Sequence, residues 1–325
     1  MDTATHFVMG LGLFGLAQLD PAVTESVQTT QAVLLGTVVG SEIPDLDTLY
    51  RLKGKAAYIR NHRGWSHSIP MLVIWPSVIT AALVSFIPGA SWLHVWLWTF
   101  VAVFIHVFID VFNVYGTQAL RPFSRQWIAL HTLNIFDPFI FSAHLVALFL
   151  WWFFPDRAVV IFPSLYVVIT MYVIHRFLVR SRLVSLVRGQ EGAPRRVTVT
   201  PTARFRTWNV IAEWPDRVKL GEIRNETLQW TGEMSTEDLG HPAVEASRQA
   251  ESIRAFLSLT SYGYPRVYRR PFGYEVRWLD VRYHHKKHFP FVAVALLDHD
   301  LKPFHSFVGW MKEEQLEKKI RHLVS

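Results

Sequence analysis

Asn61-His62-Arg63-Gly64-Trp65-Ser66-His67-Ser68 leads directly into Ile69 to Ile87, a run of 19 residues without a charge. That run matches the ~20 residues a helix needs to cross a bilayer. A helix that only spans lipid has no use for two histidines, an arginine and a glycine at its mouth. At a water–membrane boundary these residues suit metal ligation or a phosphate clamp. The stretch therefore predicts a membrane protein with chemistry at one interface, and further His and Asp residues are expected at the same level.

Working outward, Trp92 to Ile109 follows the turn residues Pro88-Gly89-Ala90-Ser91. Pro138 to Phe154 and Ala158 to Ile174 flank Pro155-Asp156-Arg157. His6 to Leu19 and Thr29 to Ile43 are shorter and carry Gly10, Gly12, Gly15, Gly36 and Gly40, residues that let helices approach closely. They read as a packed hairpin linked by Asp20 to Gln28, with a buried pair of soluble helices as the alternative. Trp65, Trp92, Trp96, Trp98, Trp151 and Trp152 gather near run ends, as interfacial belts do. The expectation is a mainly α, polytopic helical bundle of about six helices over residues 1–180, four of full length and two short.

Charge divides the chain in the same way. Met1 to His175 holds 8 Lys/Arg and 9 Asp/Glu, whereas the remaining 150 residues hold 25 and 17, so the net charge of +7 belongs to the second part. Arg51, Lys53, Lys55, Arg60 and Arg63 follow the second run, Arg121 and Arg125 the fourth, and Arg176, Arg180, Arg182 and Arg188 the sixth, while the opposite loops hold only Arg157. The positive-inside rule then predicts a multi-pass protein of the cell membrane with both termini cytoplasmic. Met1 to Thr5 has no positive n-region, so no signal peptide is expected. There is no cysteine, which excludes disulfides, cysteine nucleophiles and thiolate metal sites.

From about residue 195 the pattern becomes that of a cytoplasmic α+β domain extending to 325. Arg196 to Thr200, Phe205 to Trp214 and Arg217 to Ile223 read as strands, the last two turning at Pro215-Asp216. Pro242 to Leu259 reads as one helix, Tyr274 to Tyr283 as β, Phe291 to Leu297 and Phe304 to Trp310 as a hairpin, and Lys312 to Val324 as a terminal helix. His284, His285 and His288 beside Lys286 and Lys287 read as a solvated basic loop rather than a metal site, of a kind that meets anionic lipid or nucleic acid.

The predicted spans bring ionisable residues to the cytoplasmic face: His6, Asp45 and Asp47, His62 and His67, His106 and Asp110, then His131 and Asp137. His106 and Asp110 are four apart on one helix face. Burying the Asp in lipid costs roughly 2.5–3.5 kcal/mol unless a cation or charged partner offsets it; a His–Asp hydrogen bond between helices is the alternative. Asp45 and Asp47 could share a polar pocket, where close carboxylates raise each other's pKa unless a cation intervenes, or lie in a solvated loop. Arg63 suits a phosphoryl oxygen or simply obeys the positive-inside rule. Asn113 and Arg121 could line the same pocket or belong to an ordinary helix end and turn.

His6, Pro44-Asp45-Leu46-Asp47, His62-Arg63-Gly64-Trp65-Ser66-His67-Ser68, His106-Val107-Phe108-Ile109-Asp110 and Asn113-Val114-Tyr115-Gly116-Thr117 together resemble the YdjM-like family of membrane-bound metal-dependent hydrolases. The C-terminal domain looks like the YfhP-type branch of that family from bacilli. The hydrolase resemblance covers roughly residues 1–180. It departs from the family's pattern at Ser66, where Thr is usual, and keeps the hydroxyl. The resemblance implies a metal-dependent hydrolase in the bacterial cell membrane.

The sequence reading is thus a hydrolase acting on an ester or phosphoester with a lipid part. One or two divalent ions, Zn first and Mn, Fe or Mg as alternatives, would be held by His6, Asp45, Asp47, His67, His106 and Asp110. His62 and Arg63 would handle the leaving group or its phosphate charge, with Asp137 as an orienting group. Membrane lipids and a small or lipid-linked substrate are the expected partners, and nucleic acid is not. Two alternatives stand beside it: a non-enzymatic membrane regulator whose basic C-terminal domain binds a partner, and a transporter whose intramembrane His and Asp carry ions.

Overall fold

The computed structural model of the chain describes residues 1–190, 192, 194–283 and 289–324. The basic loop read at His284, His285 and His288 lies outside the described residues. The chain divides into two compact units, Met1–Thr48 with His62–Arg180, and Leu49–Asn61 with Ser181–Ser325.

In the first unit the apolar runs are helices: α1 (Thr3–Leu16), α2 (Pro21–Thr24) and α3 (Val27–Glu42), then, after α4 (Lys55–Asn61) of the second unit, α5 (Ile69–Phe86), α6 (Trp92–Val111), α7 (Pro138–Phe153) and α8 (Ala158–Gln190). Short polar side chains start them by accepting backbone N–H bonds: Asp2 for α1, Asp20 for α2, Ser26 for α3 and Asp137 for α7. Among the described residues, three helical stretches are long and apolar enough to cross a membrane: Ile69–Phe86, Trp92–Val111 and Pro155–Gly189. Thr3–Leu19 and Pro138–Phe153 are shorter apolar helices. The expected four full-length spans therefore reduce to three. The helix from Pro138 ends after 16 residues, because Pro155 lacks an N–H and pushes Phe154 out of helical conformation. The last helix instead runs far past Ile174, since nothing between there and Gly189 breaks it.

Small residues set the helix contacts. α3 packs against α1, α5 and α6. A Cβ on Gly36 would stand 2.3 Å from Thr99 Oγ1, and one on Gly15 would stand 2.1 Å from the Phe162 ring. Met9, Ile109, Leu133, Ile140, Phe162 and Leu165 fill a core among α1, α6, α7 and α8. Beyond α3 the backbone tightens into a 3₁₀ stretch, Ile43–Lys53, which carries Asp45 and Asp47. The segment before α5 turns through Arg63 at φ 54°. It is tied to the irregular segment after α6 by Gln118 N donating to Arg63 O (3.0 Å) and Ile69 N to Arg121 O (3.2 Å).

The second unit contains two antiparallel four-stranded meanders: β1 (Arg196–Pro201), β2 (Thr207–Glu213), β3 (Arg217–Arg224) and β4 (Thr227–Ser235), then β5 (Gly263–Arg270), β6 (Gly273–Asp280), β7 (Phe291–Leu297) and β8 (Pro303–Trp310). α9 (Pro242–Ser247) and α10 (Glu251–Leu259) lie between the sheets in sequence and α11 (Glu313–Val324) follows them. All seven residues of β7 are buried. Ile211, Leu220, Val292, Val294, Phe307, Leu316 and Ile320 join both sheets and α11 in one core, while α10 packs against β7 and β8. Arg277 ties β6 to α11 through Glu313 (2.6 Å) and Glu317.

The single helix expected over Pro242 to Leu259 is broken. Ser247 Oγ bonds back to Val244 O (2.7 Å) and accepts Trp278 Nε1 (3.0 Å), and Ala250 is extended. Strands β4 and β5, which have no counterpart in the sequence reading, are sheet edges. Their Gly232 and Pro265 are residues that sheets tolerate chiefly at edges. α4, within the segment expected to be a loop, packs on α10 and β8.

Candidate metal centre

Four residues from three segments converge in the first unit. Asp45 comes from the 3₁₀ stretch after α3, His67 from the turn before α5, and His106 and Asp110 from successive turns at the end of α6. One donor atom from each lies within 4.8 Å of every other. His67 Nε2 is 3.2 Å from His106 Nε2, 3.5 Å from Asp110 Oδ2 and 3.6 Å from Asp45 Oδ1. His106 Nε2 is 3.7 Å from Asp110 Oδ2 and 3.8 Å from Asp45 Oδ1. Donors about 2.1 Å from a tetrahedral ion stand roughly 3.4 Å apart, so the spacing fits.

Hydrogen bonding behind the cluster fixes which nitrogens carry protons. His106 Nδ1 faces the Ser41 carbonyl at 2.6 Å. A carbonyl only accepts, so Nδ1 donates and Nε2 keeps its lone pair. Ser66 Oγ donates to Asp47 Oδ2 (2.7 Å). With its hydrogen committed, it accepts from His67 Nδ1 (2.9 Å), and His67 Nε2 also presents a lone pair. Two imidazole lone pairs thus face each other 3.2 Å apart with no proton between them. Of the nearest oxygens, both buried, Asp45 Oδ1 makes no hydrogen bond, whereas Asp110 Oδ2 lies 3.1 Å from Arg63 Nη2 and Asp110 Oδ1 pairs with the Met1 amine. The two imidazole lone pairs and Asp45 Oδ1 are acceptors that a cation would satisfy.

Electrostatics agree. Burial, reinforced by His106, holds the His67 imidazole well below its ordinary pKa and therefore neutral. Burial alone would raise the Asp45 carboxyl, but His106, Arg63 and His67 around it hold it well below the usual carboxylate range.

The remaining expected site residues divide into neighbours and one outlier. His6 stacks on His106 with ring centroids 3.7 Å apart. Its Nε2 meets the Met1 amine at 2.8 Å and Asp110 Oδ1 at 3.5 Å. It stands beside the four-residue group rather than in it. Asp47 and His62 form a second potential ligand group with Asp45. Asp47 already accepts from His62 Nδ1 (2.8 Å), Arg63 N (2.7 Å) and Ser66 Oγ, so it also fixes the whole turn. Arg63 is buried, with Nη2 3.1 Å from Asp110 Oδ2 and 3.0 Å from Met1 O. Asn113 Nδ2 donates to Asp110 Oδ1 (3.0 Å) and orients it. Asp137 is in neither group; it caps α7 and accepts from Tyr172 Oη at 3.0 and 3.1 Å.

No role for Ser66 follows from the sequence, although its hydroxyl stands out beside His67. The Ser41 carbonyl left no signal, because any residue supplies one.

A buried Asp/His cluster that could hold a metal ion is thus present in a chain with apolar helices of membrane-crossing length. The profile of the YdjM inner membrane protein family matches residues 1–183, and that of the YfhP C-terminal alpha/beta plait domain matches residues 242–320. Among curated proteins, the chain is 40% identical over 324 residues to the uncharacterized protein YfhP of Bacillus subtilis (strain 168), covering 99% of each chain. No solved structure matches it. The chain is a membrane protein, and it belongs to the YdjM family, with a YfhP-type C-terminal domain.

Proposed function

We propose that the protein is a membrane-bound metal-dependent hydrolase that cleaves an ester or phosphoester, lipid-linked, at the cytoplasmic interface. The observation that carries this reading is the pair of imidazole lone pairs, 3.2 Å apart beside the Asp45 Oδ1 oxygen, which has no hydrogen bond, and the Asp110 carboxylate. Asp45, His67, His106 and Asp110 would hold the ion, and two imidazoles with two carboxylates suit Zn, Mn or Fe. When bound, such an ion supplies a Lewis acid that polarises the scissile group and lowers the pKa of water. Asp47 accepts from His62 Nδ1 and so orients the ring, which would serve the leaving group. Arg63 holds negative charge beside Asp110. Asp137 takes no part in the chemistry.

The cytoplasmic placement draws support from Arg51, Lys53, Lys55, Arg60 and Arg63, which follow α3 in sequence, since basic residues gather on the inner side of a membrane.

The test is metal content of the detergent-purified protein by elemental mass spectrometry, beside a His67→Ala/Asp110→Ala double variant. At least one equivalent in the wild type, lost in the folded variant, is the expected result, followed by metal-dependent turnover of phosphoester or lipid-ester probes. Wild-type protein that refuses Zn, Mn, Fe and Mg sinks the reading. Tight metal without turnover favours a membrane regulator, a role for which four nearly enclosed protein ligands would also suit a structural ion.

A further inference from the structure

Arg63 has more donors than the site uses. Its side chain is 3% exposed, and Nη2 alone is engaged, by Asp110 and the Met1 carbonyl. Nε and Nη1 are buried with no hydrogen-bond partner, leaving three N–H groups of a charged side chain unpaired. Buried guanidinium groups are ordinarily saturated, because stripping their water without replacement is costly. Here the backbone enforces the position. Arg63 sits at φ 54°, held by its own N–H on Asp47 (2.7 Å) and its carbonyl on Gln118 N (3.0 Å). Ser68 Oγ and Thr117 Oγ1, on the two segments that this carbonyl bond joins, are also buried without partners.

We infer that Arg63 is an anion-binding residue of this centre and that the substrate is a phosphoryl compound rather than a carboxylic ester. The inference rests on the metal-centre reading for its second contact. A phosphoryl group carries at least two non-bridging oxygens, so one can face the ion while another accepts from Nε or Nη1. A carboxylic ester has one carbonyl oxygen, and turning it to the ion leaves Arg63 unpaired. The same chemistry occurs in a lipid phosphate headgroup and in a soluble phosphomonoester.

The experiment is equilibrium binding of radiolabelled inorganic phosphate to the full-length protein in nanodiscs, metal-chelated and metal-restored, with metal content measured in parallel. Wild type is compared with Arg63→Lys, which keeps a cation near Asp110, and with Arg63→Met. Loss of two or more charged hydrogen bonds should weaken phosphate binding by about tenfold or more in both variants, while metal content stays at the wild-type value in Arg63→Lys. Arg63-dependent phosphate binding without any bound metal keeps Arg63 as an anion-binding residue but overturns the metal centre and the choice of substrate that rests on it. Bound metal with phosphate binding absent, or equal in Arg63→Lys, overturns this inference and keeps the metal centre. Neither ligand bound overturns both. Competition by phosphatidate in the nanodisc assigns the phosphoryl group to a lipid, and competition by glycerol phosphate assigns it to a soluble ester; either supports the inference.

Discussion

Ser66 links Asp47 to His67 by two hydrogen bonds, and this chain decides which His67 nitrogen faces the metal centre. Ser66→Ala should lower metal affinity about 10–100-fold, the usual effect of removing an orienting partner. Ser66→Thr, which restores the hydroxyl, should recover it. Competition with a chromophoric chelator measures both, and an alanine variant of unchanged affinity would refute the relay. Asp137 gives the opposite expectation. Burial raises its carboxyl above the ordinary value, outweighing Tyr172, the α7 amides and Arg176. The folded state therefore binds the proton more tightly than the unfolded chain, and stability falls as pH rises from the unfolded carboxyl value through the folded one. Asparagine caps a helix about as well as aspartate and does not ionise. Asp137→Asn should keep metal and activity, and its melting temperature relative to wild type should rise between pH 4 and pH 8. A flat difference would show that the carboxylate is not penalised.

Helix α3 is the element on which the centre hangs, since Ser41 and Asp45 lie at and just past its end and α6 brings His106 and Asp110 against it. Close approach through Gly36 sets that contact. Gly36→Ala would drive a Cβ to 2.3 Å from Thr99 Oγ1, on a β-branched side chain with little rotamer freedom. Overpacking of this kind costs about 1–3 kcal/mol. The expected result is a lower melting temperature in detergent and reduced metal occupancy, because shifting α6 moves two of four ligands. Full occupancy with a normal melting temperature would mean that α3 and α6 have slack.

The molecule as a whole is divided so that residues 49–61 leave the helical unit and join the C-terminal one. With no native cysteine, single cysteines report sidedness cleanly. Leu52→Cys and Glu251→Cys, both at exposed positions, should resist a membrane-impermeant thiol reagent in intact cells and react after permeabilisation. Pro88→Cys and Asp156→Cys, exposed at the opposite helix ends, should react without it. Labelling of Leu52→Cys and Glu251→Cys on opposite sides would be incompatible with the packing of α4 on α10.

Much of this was legible along the chain. The uncharged run from Ile69 and the apolar strand Phe291–Leu297 announce themselves, because burial in lipid or between two layers demands continuous hydrophobicity. The spacing of His106 and Asp110 puts both on one helix face, since an α-helix returns to the same side every 3.6 residues. Tertiary structure decided the rest. Asp137 shares the residue type and the interfacial position of the cluster, yet folding spends it on a helix cap and Tyr172. Arg63 acquires unpaired donors only because a left-handed turn buries it. The lone pairs of His67 and His106 meet only because Ser66 and the Ser41 carbonyl, 25 residues apart in sequence, each take the opposite ring hydrogen. Such choices depend on which atoms surround a group in space, and no local pattern of residue types records that.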